Sequence, residues 1–79
     1  MRNINAIARE IRQDWKNPPY AAMPYLNAMT YITKMDDDFY YDNGRSVILY
    51  FLSNATTWRG ETARRIKAEL KSMLAATKR

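Results

Sequence analysis

The sequence predicts an all-α protein, a compact single-domain bundle of about four helices over residues 1–79. Two observations lead there. Apolar residues recur at helical spacing in separate segments along the chain. Helix breakers and capping residues fall between those segments rather than inside them.

The first stripe is Ile4, Ile7, Ala8, Ile11 and Trp15, with Arg9, Arg12 and Lys16 on another face. Asn3 or Asn5 can cap its start. Asn17-Pro18-Pro19 stops it, because a residue before proline is pushed out of the α region. Helix 1 is therefore expected over 4–16. In the second segment, Tyr25, Ala28, Met29, Ile32 and Met35 keep the helical period. Pro24 must sit in the first turn, where its missing N–H is not needed. Helix 2 is expected to start between Ala21 and Pro24 and to end near Met35.

Residues 45–55, RSVILYFLSNA, are ambiguous, since periodicity cannot separate a buried strand from a buried helix in so short an apolar run. Val47, Phe51, Leu52 and Ala55 share one helical face, and Asp42 stands where an N-cap is wanted. The alternative is α+β, with a hairpin over residues 39–51 turning at Asn43-Gly44. The last segment is the clearest helix. Ala63, Ile66, Leu70, Met73 and Thr77 repeat at three and four residues, with Leu74 beside them. Thr57 can cap it, Glu61 suits the first turn, and Gly60 either permits close packing or marks a start just beyond it.

Composition narrows the function classes. The 79 residues include no Cys and no His. A disulfide scaffold, a structural zinc site of the usual ligands and nucleophilic catalysis by Ser-His or Cys-His pairs are therefore excluded. No cofactor is expected. Residues 1–16 are charged throughout and lack the apolar core of a secretory signal, and the longest apolar run, Val47 to Leu52, is too short to span a bilayer. A cytoplasmic protein with no membrane partner is expected, and Asn54-Ala55-Thr56 is then a chance glycosylation triplet.

The net charge of +5 is unevenly placed. Residues 59–79 carry seven basic side chains against Glu61 and Glu69, whereas Asp36, Asp37, Asp38 and Asp42 make the middle acidic. Tested as a calcium loop, DDDFYYDNG fails. With Gly44 at the glycine position of an EF-hand, Phe39 and Tyr50 fall where oxygen ligands are required. Adjacent aspartates also do not converge as a two-metal site needs. The segment reads as a solvated acidic link or as a protein-contact loop, with Tyr40, Tyr41, Asp37 and Asp38 as its contact residues. Arg64, Lys67, Lys71 and Lys78 form a stripe on the last helix, Arg59 lies beside Trp58, and Arg65 can pair with Glu61 and Glu69. Such a stripe is commonly a solvated face. It also suits phosphates or an acidic protein surface. Trp15 and Trp58 are expected in or at the rim of the core.

The stretch YDNGRSVILYFLSNATTWRGETARRIKAELKSML, with IAREIRQDWKN and AMPYLNAM upstream, resembles a set of small proteins of bacteriophages, prophages and related mobile elements. The resemblance rests on Trp15-Lys16 at the end of the first helix, Pro24-Tyr25-Leu26 opening the second and Trp58-Arg59-Gly60-Glu61 opening the last. It covers most of the chain and carries over no catalytic or binding residue. It implies a small protein that acts in a bacterial host by binding a host protein, such as a component of a CRISPR–Cas or other defence system. The expected function is thus non-enzymatic binding of a host macromolecule, with Arg59, Arg64, Lys67, Lys71, Tyr40, Tyr41, Asp37 and Asp38 as candidate contacts. The alternative is a small basic DNA- or RNA-binding protein using the last helix. Homodimerisation is compatible with a domain of this size, although no long heptad run demands it.

Overall fold

The computed structural model describes residues 2–34, 38–39 and 42–76, the side chains of 38, 39 and 42 excepted. Helix α1, Ile4–Asp14, buries Ile4, Ile7, Ala8 and Ile11 along the expected stripe. Asn3 takes the N-cap position with extended backbone, and its carbonyl accepts from the Ala6 and Ile7 amides. The helix ends two residues before the expected Lys16. Trp15 leaves the helical region at φ −97°, ψ 93°, although its N–H still reaches the Ile11 carbonyl at 2.7 Å.

Helix α2, Met23–Met29, begins where Pro24 requires, with the proline inside the first turn. It ends well short of Met35. The Thr30 hydroxyl donates to the Asn27 carbonyl at 2.6 Å, and the Thr-Tyr-Ile-Thr run that follows is poor in helix formers. Ile32 is buried all the same, and the Ile4 amide donates to the Thr33 carbonyl at 2.9 Å. The segment after α2 thus closes on the start of α1 instead of extending the helix.

The hairpin alternative survives only as a fragment. Strands β1, Asp38–Phe39, and β2, Asp42–Asn43, pair antiparallel with Asp38 opposite Asn43 and Phe39 opposite Asp42. Pairing stops there, and helix α3 runs from Gly44 to Ser53. Its N-cap is Asn43, not Asp42. The Asn43 side chain accepts from the Ser46 amide at 2.9 Å, so Asn-Gly starts a helix here where it could have turned a hairpin. Helix α4, Glu61–Ala76, starts four residues after Thr57. Gly60 holds φ at +114°, a conformation open to glycine, and the Arg64 amide donates to its carbonyl at 3.0 Å. Ala63, Ile66, Leu70, Met73 and Leu74 are buried as expected, and Thr77 lies outside the described residues.

The described residues therefore form an all-helical fold of four helices around one hydrophobic cluster. Helix α1 packs on α2 and α4, and α3 packs on α2 and α4. Phe51 is fully buried near the centre. The Trp15 and Trp58 rings stack at 5.5 Å and 13°, and each meets Phe51 edge-on. Both tryptophans are core residues. No described helix is long and apolar enough to cross a membrane.

Candidate macromolecule-binding site

One group of charged side chains neutralises itself in ion pairs, and a second group has no ion pair among the described residues. The first group ties the chain start to α1 and α4. Arg2 grips Glu69 with two hydrogen bonds, Nε to Oε2 at 3.1 Å and Nη2 to Oε1 at 2.7 Å, and reaches Glu10 Oε1 with Nη1 at 2.6 Å. Arg65 donates to the other Glu10 oxygen. Arg65 therefore pairs across to α1 and not, as its spacing suggested, with Glu61 or Glu69 on its own helix. The hydrogen bonds to Glu69 and Glu10 raise the Arg2 pKa. Those from Arg2 and Arg65 lower that of Glu10, and the hydrogen bond from Arg2 lowers that of Glu69. Elsewhere Arg12 donates to Asn27, and Arg45 donates to the Leu74 carbonyl at 2.6 Å.

The second group is the predicted basic set: Arg59 precedes α4, Arg64, Lys67 and Lys71 lie on it, and Lys78 lies outside the described residues. Arg59, Gly60, Ala63, Arg64 and Lys67 line a shallow depression of about 230 Å³ together with Trp58. Trp58 and Ala63 are buried and make its floor apolar. Arg59 and Arg64 are exposed at its rim. Lys67 forms one wall and is held in place. Its ammonium donates to the Trp58 carbonyl at 2.7 Å and stands 5.9 Å from the centroid of the Trp58 ring. Trp58 is itself fixed by its indole N–H, which donates to Asp14 Oδ2 at 2.8 Å. Burial lowers the Lys67 pKa, and the positive charges of Lys71 and Arg59 lower it further. Lys71, exposed one turn along α4, thus shares the field of the depression without lining it.

Among the described residues no carboxylate forms an ion pair with Arg59, Arg64, Lys67 or Lys71. Glu61 lines a wider adjoining hollow with Arg64 and Arg65, also without an ion pair. Four of the eight sequence-predicted contact residues are therefore gathered on one face. Asp37, Tyr40 and Tyr41 lie outside the described residues, as does the side chain of Asp38. No family model, curated protein or solved structure matches this chain.

Sequence reasoning missed two features. The Asp14–Trp58–Lys67 chain that orders the rim joins residues distant in sequence, and nothing local announces it. A second exposed patch occurs on α3, where Leu49 and Tyr50 are 46% and 49% exposed and Tyr50 lies 5.4 Å from the Tyr25 ring. Its signal was present: a continuous apolar run in a helix with one buried face must turn some of its members outward.

Chemically, the α4 rim can attract and orient anions. Of the neighbouring carboxylates, Glu10 is held by two arginines and Asp14 accepts from Trp58, whereas Glu61 borders Arg64 and Arg65 in the adjoining hollow. No group of three or more metal-ligating side chains occurs among the described residues.

Proposed function

We propose that this chain is a non-enzymatic binding module of the phage or mobile-element kind, docking on an acidic surface of a host protein through the α4 rim. One observation carries the reading: Arg59, Arg64 and Lys67 surround one depression, Lys71 follows on the next turn, and no described carboxylate pairs with them. Like charges held together gain from an opposing anionic surface, and such complementarity steers encounter and fixes register. The resemblance to phage proteins points to a target in a bacterial defence system, and an inhibitor of a CRISPR–Cas nuclease fits that description. The test is affinity capture from a nuclease-treated bacterial lysate. A specific protein retained by the wild type and released by moderate salt supports the proposal, and the absence of any retained protein refutes it.

The same stripe favours a second reading, binding to DNA or RNA phosphates along α4. Arg64 and Lys71 are seven residues apart, so the track is about 10 Å long. Four phosphate contacts give a salt slope of about −3.6 in log K against log salt, and contacts of this kind alone bind only at roughly 10⁻⁴–10⁻⁶ M. Such a track has no means of choosing a sequence. That weakness places the nucleic-acid reading second. A duplex bound far more tightly at moderate salt would reverse the order.

A further inference from the structure

We infer that the depression beside Trp58 is a seat for one carboxylate side chain, Glu or Asp, on an acidic segment of the partner protein. This deepens the docking proposal above and rests on it. The lining has two parts, and their chemistry differs. The inner lining is Gly60 with the almost fully buried Ala63 and Trp58, and the rim is cationic, built from Arg59, Arg64 and Lys67. A phosphate group matches such a lining poorly. Its oxygens are strongly hydrated on every side, and an apolar floor removes that water without replacing it. A glutamate or aspartate matches it well, since methylene carbon can lie against Gly60 and the alkyl stems of the rim side chains while the carboxylate meets their charged ends. Guanidinium groups take carboxylates in paired, planar hydrogen bonds, and two arginines stand at this mouth.

The seat is also ordered before any ligand arrives. Lys67 uses one N–H on the Trp58 carbonyl, which leaves donors to spare on the same ammonium. Trp58 is locked by Asp14 below and by stacking on Trp15. A side chain already held loses little freedom on binding. Lys67 also sits among like charges from Lys71 and Arg59. A carboxylate entering the seat relieves that repulsion, and one on the open surface does so less.

The test uses the full chain and four probes: a blocked, dye-labelled peptide of alternating Glu and Ser, its Gln counterpart, a DNA duplex of equal charge, and inorganic phosphate. Binding is read by anisotropy, and occupancy of the seat by the emission of the stacked Trp15–Trp58 pair. Arg59→Gln and Arg64→Gln remove exposed groups with no ion pair among the described residues, so they leave the fold intact. Lys67→Met is checked by thermal melting. Arg9→Gln, an exposed cation on α1, is the control. The Glu peptide is expected to bind and shift the tryptophan emission, and the Gln peptide is not. Each of the three seat variants is expected to weaken binding about tenfold, with Arg9→Gln unchanged. Phosphate should displace the peptide only weakly.

Equal losses from Arg9→Gln and Arg64→Gln would sink the seat but leave docking on an acidic surface standing. A duplex bound more tightly than the peptide and lost with the same variants would overturn the partner class. No binding of the Glu peptide by the wild type would overturn seat and docking together.

Discussion

Removing the Asp14 carboxylate tests the anchor of the whole rim. Asp14 accepts from the Trp58 indole at 2.8 Å, and Trp58 is only 2% exposed. In Asp14→Ala that N–H loses its charged partner. Leaving a buried donor unpaired costs about 1–3 kcal/mol. Asp14 itself is exposed, so water can reach part of the vacated space, and the lower part of that range applies, about 1–2 kcal/mol. For a domain of this size that is a fall in Tm of roughly 5–15 °C. Asp14→Asn keeps a neutral acceptor and should lose about half as much. The assay is thermal and urea unfolding followed by circular dichroism and tryptophan emission. In a Trp58→Phe background, which has no donor, Asp14→Ala should cost almost nothing further. Melting of Asp14→Ala together with the wild type, or an unchanged cost in the Trp58→Phe background, would refute Asp14 as the anchor of Trp58.

Other outcomes follow from the same structure. Asn43→Ala removes the α3 cap and is expected to cost about 1 kcal/mol in urea unfolding, with Asn43→Ser nearly neutral. Gly60→Ala adds a Cβ that meets nothing within 4 Å, so its loss of about 1–2 kcal/mol arises from φ +114° alone and should persist in every background tested. Glu10 and Glu69 have folded pKa values below their unfolded ones, so their contribution is complete above the usual carboxylate range near 4.5 and declines as pH falls through the folded values. Acid unfolding of Arg2→Met should accordingly show a shallower loss of stability below pH ~4.5 than the wild type.

Much of the fold was legible because its determinants are local. The stripe Ala63, Ile66, Leu70, Met73 fixes the buried face of α4 whatever it packs against, and Pro24 fixes the start of α2 by removing a donor. The errors arise where tertiary contacts outweigh local preference. Trp15 leaves the helix that its spacing extends, and its ring stacks on Trp58, 43 positions away. Ile32 belongs to the core without belonging to a helix, because the chain after Met29 turns back to pair Thr33 with Ile4. Arg65 had two plausible partners on its own helix and found Glu10, 55 positions away. The hairpin and helix signals around Asn43 were both real. The ladder is two residues long and the helix takes over, since Asn43 serves as a cap for α3.

The candidate site shows the same division. That α4 carries exposed cations was readable from spacing. That two of them border one depression with Arg59, and that Lys67 is pinned to the Trp58 carbonyl, depends on the turn at Gly60 and on Asp14. Neither is written in the periodicity of the helix.

The proposed docking face is the α4 rim and not the Leu49–Tyr50 patch of α3. The most direct measurement is capture from nuclease-treated lysate with two charge- or polarity-altered proteins side by side, Arg59→Glu/Arg64→Glu/Lys71→Glu and Leu49→Ser/Tyr50→Ser. Docking through the α4 rim means that the first loses the protein retained by the wild type and the second keeps it. Retention by the rim variant, with loss in the α3 variant, would contradict it.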